Sequence, residues 1–461
     1  MGLTGTAAGR RIASLLDANS FVEIGGQITA RSTDFNLSAA QTPSDGVITG
    51  YGTIDGSLVY IFSQDASVLG GTVGEMHAKK ITRIYHLAMK TGAPVIGLID
   101  CAGVRLEEST DALDAIGRIM KNQVMASGLI PQLTGIFGTC GGGLAVVPAL
   151  SDFTFIESGN AHLFVNSPDA VCGNSEDRKD TSGADYQLAQ GNADFAGTEE
   201  EVYAAMRQLV ALLPLNCEDE GAMEETTDDL NRACTALASC GDAREALKVI
   251  SDSGVFFETK RGFAESMVTG FIRLNGYTVG AVANAEDVLK AKGVQKAADF
   301  INFCDAFNIP VLTLVSASSM NNCECTEKLM PKAAASLAYA YANATVPKVT
   351  VVTGKAYGTA YILMGSRSIG ADMVYAWPNA EIGTMDPKMA AKILSDGADA
   401  DTLKKTASEY ASLQQCVTSA ARHGHVDTII EPADTRKYVI GAFEMLYTKR
   451  EDRPDKKHGT V

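Results

Sequence analysis

The feature that most constrains this chain is that it repeats itself. GYGTIDGSLVYIF from Gly50 resembles GFIRLNGYTVGAV from Gly270, 220 residues on. GAPVIGLID sets Pro94 against Pro310 of NIPVLTLVS, and IPQLTGIFG sets Pro131 against Pro347 of VPKVTVVTG, both at an offset of 216. GTCGGGL then aligns Gly138 with Gly354 of GKAYGTA at the same offset, so that Gly142 matches Gly358 and Gly143 matches Thr359. Three anchors at one spacing mean a duplicated unit, and a duplicated unit must fold twice.

Each half reads as a hairpin with Asp55-Gly56 or Asn275-Gly276 at its corner, then a helix (78–90 and 295–307). A β-rich run, a second helix, another β-rich run and a glycine turn into a helix follow. Strands alternating with helices predict an α/β fold. The acidic stretch Cys217 to Arg232 lacks a β pattern and reads as the linker. Thr198 with Glu201 and Asp242 with Glu245 have capping-box spacing on either side of it. The expected division is 1–225 and 226–461.

At 461 residues, with 46% apolar and 20% charged side chains, the chain has material for more than one core. Its formal charge of −16 argues against broad electrostatic binding of nucleic acid or anionic lipid, so an anionic ligand must be held by local groups. The 10 cysteines include no CxxC pair, which fits a reducing, cytoplasmic compartment and no paired zinc site. Asn122 to Ser151 is uncharged and long enough to span a bilayer, but its prolines and glycines read instead as a buried strand, a glycine turn and a helix.

No GxSxG, HExxH, Walker loop or strand-following GxGxxG is present. His423 and His425 do not share a helix face, and solvation or C-terminal capping is the expectation for them. Cys323 and Cys325, two sulfurs without a second pair, are expected to be unliganded loop thiols. What remains is two strands that end in glycine and open into helices. Such turns leave backbone N–H groups unpaired at the positive end of a dipole, where they can hold an oxyanion; close helix–strand packing is the alternative for one turn taken alone.

Several long stretches carry a resemblance. FSQDASVLGGTVGEMHAKKI, TGAPVIGLIDCAGVRLEE, ASGLIPQLTGIFGTCGGGLAVVPALSDF, FCDAFNIPVLTLV, the run from Ala344 to Pro387 and the tail RPDKKHGTV are similar to carboxyltransferase subunits of biotin-dependent acyl-CoA carboxylases and decarboxylases, of the propionyl-CoA and methylmalonyl-CoA type. The resemblance implies two tandem crotonase-like (ClpP/crotonase) domains, with acyl-CoA mainly on the N-terminal one and biotin on the C-terminal one. A carboxyl group would move between biotin N1′ and the carbon alpha to the thioester. The N–H groups of Gly142 and Gly143 would stabilise one oxyanion and those of Thr359 and Ala360 the other, in an order the resemblance leaves open. Ala102, Gly103, Cys140, Gly141, Tyr357, Gly358 and Ile362 would border the substrates. The implied cofactor is biotin on a separate carrier protein, because Ala88-Met89-Lys90-Thr91 lies inside a predicted helix and is no acceptor motif; no metal is expected. Implied partners are a biotin carboxyl carrier protein, a biotin carboxylase or a membrane decarboxylase subunit, and further copies in a dimer-based oligomer of hexamer size, without direct membrane insertion.

The chain departs from the family pattern at four places. Gly358-Thr359 stands where two glycines are usual, and Cys101 to Arg105 replaces a Ser-Gly-Gly-Ala-Arg stretch. SASSMNNCEC, 316–325, replaces a loop with proline and glycine, and Tyr361-Ile362 replaces Tyr-Asp. Lys79, Lys80 and Lys355 are expected to be solvated; Arg105 is open between a loop-fixing ion pair and a ligand contact, and His77 is equally open. Two other readings stay open: a biotin-independent hydratase or hydrolase using Glu107 or Glu108, and a non-catalytic scaffold subunit.

Overall fold

Both hairpin corners turn with two residues at positive φ, Asp55 (48°) with Gly56 (81°) and Asn275 (52°) with Gly276 (80°). This is the geometry that matches strand twist and gives a two-residue loop its register, Ile54 opposite Ser57 and Leu274 opposite Tyr277. The computed structural model describes residues 5–32, 35, 42–172, 179–219, 221 and 223–453; most of the tail motif, 454–461, lies outside them.

Two compact units result: Met1–Ala222 with Lys260–Phe263, and Met223–Thr259 with Ala264–Val461. The first holds strands β1 (Val22–Glu23), β2 (Val47–Ile54), β3 (Ser57–Gln64), β4 (Val95–Cys101), β5 (Gln132–Gly141), β6 (Phe153–Glu157), β7 (His162–Phe164) and β8 (Phe195–Gly197). Their order is β1-β2-β3-β4-β5-β6-β8, with β7 beside the end of β5. The second holds β9 (Phe256–Thr259), β10 (Met267–Leu274), β11 (Tyr277–Asn284), β12 (Val288–Leu289), β13 (Val311–Ala317), β14 (Ser319–Met320), β15 (Lys348–Tyr357), β16 (Met373–Ala376), β17 (Glu381–Gly383) and β18 (Thr428–Ile429). Its main order, β9-β10-β11-β13-β15-β16-β18 with β17 beside β15, is the same path. From β3 and β11 onward each sheet is parallel.

Parallel strands covered on both faces need continuous apolar runs, and β4 and β13 supply them as VIGLIDC and VLTLVSA, buried but for one residue each. Helices Glu75–Thr91 and Thr110–Ala126 pack together in the first unit, as do Ala291–Ala306 and Met330–Asn343 in the second. Glu75–Thr91 ends at Gly92, which takes the left-handed cap conformation at φ 64°. The helix Glu199–Leu212 starts with the expected capping box of Thr198 and Glu201. Asp242 caps Ala243–Ile250 alone, because Glu245 turns instead to Lys248 at 2.8 Å. The uncharged segment 122–151 is the end of a helix, strand β5 and a glycine turn into Val146–Ala149.

Candidate active site

Duplication of the site extends to single residues. The ladder shifts register where Ile99 and Cys101 of β4 pair with Ile136 and Cys140 of β5, and where Val315 and Ala317 of β13 pair with Val352 and Ala356 of β15, so the extra residues bulge from β5 and β15. The residue facing each bulge is held from the last residue of the preceding hairpin. Gln64 Oε1 accepts from the Asp100 N–H at 3.3 Å, and Asn284 Oδ1 accepts from the Ser316 N–H at 2.9 Å. Each bulge carries a glycine: a Cβ on Gly138 would lie 2.0 Å from Asp100 Oδ1, and one on Gly354 2.5 Å from Ser316 Oγ. A side chain at either place would push the strands apart.

Past the bulges β5 and β15 end alike. Gly141 (φ −118°, ψ 158°) and Tyr357 (φ −120°, ψ 144°) cap the two helix starts in extended conformation. Gly142 (φ 64°) and Gly358 (φ 54°) then take the left-handed region that favours glycine. Gly142 and Gly143 are the first two residues of the turn Gly142–Ala145; Gly358, Thr359 and Ala360 are the first three of the helix Gly358–Leu363. Amide N–H groups at these positions have no carbonyl a turn behind them to donate to. Gly143 and Thr359 are the equivalent exposed pair, while Ala360 and its counterpart Leu144 are buried. An added Cβ meets no heavy atom within 4 Å at Gly143, but would lie 2.9 Å from the Thr384 carbonyl oxygen at Gly358.

Around the first turn, the loop after β4 comes close. Gly103, at φ 115°, has its Cβ direction 3.7 Å from the Gly141 carbonyl oxygen, and the exposed Ala102 donates its N–H to Gly70 O at 3.0 Å. Cys140 pairs with Cys101 across the strands, and burial pushes the Cys101 thiol up to about 12, so it stays protonated. Gly141 lies against the ring of Phe164. Beside the second turn, the Tyr357 hydroxyl donates to Glu381, and Ile362 is 44% exposed on the helix.

The groups left open by sequence resolve into a buried ion cluster. Arg105 is fully buried; its Nη1 contacts Asp45 Oδ1 at 2.6 Å and Glu108 Oε1 at 2.9 Å, and its Nη2 donates to Thr72 O at 2.8 Å. It fixes the loop and does not reach out of it. Glu108 Oε2 accepts the Glu75 N–H at 2.6 Å, capping the long helix, so this carboxylate is not free to act as a hydratase base. His77 is buried between Asp45 O at 2.9 Å and Gln64 Nε2 at 3.1 Å, and burial together with Arg105 lowers its pKa to about 3. Lys80 corrects the expectation of solvation: it is buried, donates to Ser44 O at 2.9 Å, and burial lowers its pKa to about 8. Lys79 and Lys355 are exposed. Asp45 and Asn284 lie in no stretch singled out by sequence, and Gln64 lies in FSQDASV without an assigned role; their position at the end of a hairpin or in the turn before it is the signal that could have found them. His423 caps its helix with Nδ1 2.8 Å from Ser419 O. Among the described residues no three His, Cys, Asp or Glu side chains converge on a metal position, and no helix is long and apolar enough to cross a membrane.

Two copies of a bulged strand, glycine turn and helix start make up the site, and comparison with known proteins gives its class: a crotonase-fold carboxyltransferase. The carboxyl transferase domain family matches residues 6–461. The methylmalonyl-CoA decarboxylase subunit alpha of Veillonella parvula is 40% identical, over 98% of this chain and 92% of its own. The propionyl-CoA carboxylase beta chain of Roseobacter denitrificans is 39% identical, over 98% and 93%. The transcarboxylase 12S crystal structure, a hexamer with methylmalonyl-coenzyme A bound, superposes with a TM-score of 0.94 at 36% identity, over 98% of this chain and 92% of that one. The chain belongs to the carboxyl transferase family. Within it, this is a carboxyltransferase of the propionyl-CoA carboxylase and methylmalonyl-CoA decarboxylase type.

Proposed function

We propose that the chain moves a carboxyl group between N1′ of biotin on a separate carrier protein and the carbon alpha to the thioester of a short acyl-CoA such as propionyl- or methylmalonyl-CoA. The observation that carries this reading is the matched pair of glycine turns, Gly142-Gly143 and Gly358-Thr359, one per unit, with the same cap geometry. Two reacting carbonyl compounds need two oxyanion sites, and two turns of one geometry support that reading. The N-terminal half of the repeat, 1–225, takes the acyl-CoA, with Ala102, Gly103, Cys140 and Gly141 bordering the thioester. The C-terminal half, 226–461, takes biotin, with Tyr357, Gly358 and Ile362 at the turn.

The second turn fits a ureido carbonyl: the amides of Thr359 and Ala360 lie in the first turn of the helix and lack intrahelical acceptors, and Thr359 is exposed. When bound there, biotin supplies the carrier of the carboxyl group. The chain's own part is to hold each carbonyl oxygen as charge builds on it, from Gly142 and Gly143 on one side and from Thr359 and Ala360 on the other. Fixed backbone dipoles need no reorganisation, and one such donor stabilises a transition state by about 3 kcal/mol. Orientation of the two reactants supplies the rest without a protein nucleophile. A carrier protein, a biotin carboxylase or membrane decarboxylase subunit, and further copies of this chain in a dimer-based hexamer are the proposed partners, in a cytoplasmic setting and without a metal. The test is loss of carboxylate from methylmalonyl-CoA and malonyl-CoA with and without free biotin, followed by mass. Biotin-dependent loss supports the reading; biotin-independent cleavage of the thioester refutes it.

A further inference from the structure

The N-terminal unit ties the loop after β4 with a buried ion cluster; among the described residues the loop after β13 has none, and its Ser318 Oγ donates to Asp287 Oδ2 at 2.6 Å. One backbone tie is common to both loops. The Arg105 N–H donates to Val73 O at 3.0 Å, and the Asn321 N–H, 216 residues on, donates to Leu289 O at 2.9 Å. In the first loop Arg105 then ties Asp45, Glu108 and Thr72 together. In the second, Asn321 makes two long bonds, Oδ1 to the Cys323 N–H at 3.2 Å and Nδ2 to Thr326 Oγ1 at 3.3 Å. At the places of Glu107 and Ser109 stand Cys323 and Cys325, with sulfurs 2.6 Å apart and both residues exposed. The loop's Ser319–Met320 packs on the helix Gly358–Leu363, which is the second turn.

From this geometry we propose that Cys323 and Cys325 are a reversible dithiol–disulfide site, closed by low-molecular-weight disulfides, and that the bridge is the lock of the C-terminal loop in place of the ion cluster. A bridge needs a further approach of only about 0.6 Å between the sulfurs. The Cys323 thiol has its pKa lowered by the Cys325 thiol and by the backbone N–H groups of Cys325 and Thr326, whereas burial raises those of Cys101, Cys140 and Cys304. Cys323 is therefore the attacking sulfur, and what distinguishes it is a second exposed sulfur 2.6 Å away. The Cys323 thiolate attacks one sulfur of RSSR; that S–S bond breaks and RS⁻ leaves. Cys325, giving up its proton, attacks the Cys323 sulfur and expels the second RS⁻. Two protein thiols are oxidised to one disulfide, RSSR is reduced to two RSH, and the two thiol protons end on them.

The consequence for turnover rests on the reading of the second turn as the biotin side. An ordered loop removes part of the ordering cost of binding, so the oxidised protein should show a KM for free biotin about five- to tenfold lower, with kcat little changed. The experiment treats the full chain with oxidised glutathione and then removes it. Peptide mass over 316–329 should show loss of two hydrogens, and amide hydrogen exchange there should slow. Cys323→Ser and Cys325→Ser should each give only a glutathione adduct, and the double serine variant should keep the reduced protein's biotin KM in both buffers. Two adducts on the wild-type pair, or two free thiols, overturn the site. A bridge that leaves exchange and KM unmoved overturns the lock. Absence of turnover in both redox states refutes the functional reading, and the mass and exchange results then decide this proposal by themselves.

Discussion

Replacing Gly143 with valine separates the chemistry of the first turn from its folding. Gly143 has φ outside the positive range, is exposed, and has open space within 4 Å of an added Cβ. Removing glycine's extra unfolded-state freedom stabilises by up to about 1 kcal/mol for alanine, and valine, with a helix propensity below alanine's though above glycine's, keeps about half of that. Stability should therefore stay within about 0.5 kcal/mol of the parent. The branched side chain enters the space in which a thioester oxygen must approach the amide. Losing one such donor costs about 3 kcal/mol, which is a fall in kcat of about 10² to 10³. The assay is biotin-dependent decarboxylation of methylmalonyl-CoA, run beside urea unfolding of the same preparation. A variant of unchanged stability whose kcat stays within about threefold of the parent would falsify the assignment of this amide.

The second turn should respond in the opposite way. Gly358→Ala puts a Cβ 2.9 Å from Thr384 O on a residue at φ 54°, and a loss of about 1–3 kcal/mol should appear as a lower unfolding midpoint; an unchanged midpoint would show that the turn relaxes freely. Arg105→Met leaves the buried Asp45 and Glu108 carboxylates unpaired, with an expected loss of about 3–5 kcal/mol in urea. His77 gives a pH dependence of known sign. Its folded pKa is pulled from 6.5 down to about 3, so below pH 6.5 the unfolded chain takes up a proton that the folded chain refuses. Its contribution is present in full above pH 6.5 and drains away as pH falls toward 3; His77→Gln should flatten that part of a stability-against-pH curve, and an identical slope in parent and variant would refute the assignment.

The repeat, the hairpin corners, the strand–helix alternation and the glycine turns were all legible in the sequence, because each is carried by neighbours in the chain: a two-residue turn, an apolar run, a glycine at a cap. Lys80 read as a solvated lysine, and Glu108 stood as a hydratase candidate, because a local window shows neither partner. Glu108 caps a helix that begins at Glu75, and Lys80 is held by Ser44 from another element.

Local pattern thus determined that this chain folds twice into one α/β plan and that each copy ends a strand in a glycine turn into a helix. Tertiary structure alone decided what holds each turn in place. Asp45 meets Arg105 across 60 residues, and Gln64 and Asn284 reach 36 and 32 residues onward to the residue facing a strand bulge. Those partners are chosen by burial: a charge or an amide taken out of water must find a complement wherever the fold brings one. A sequence window does not contain that complement; the folded chain does.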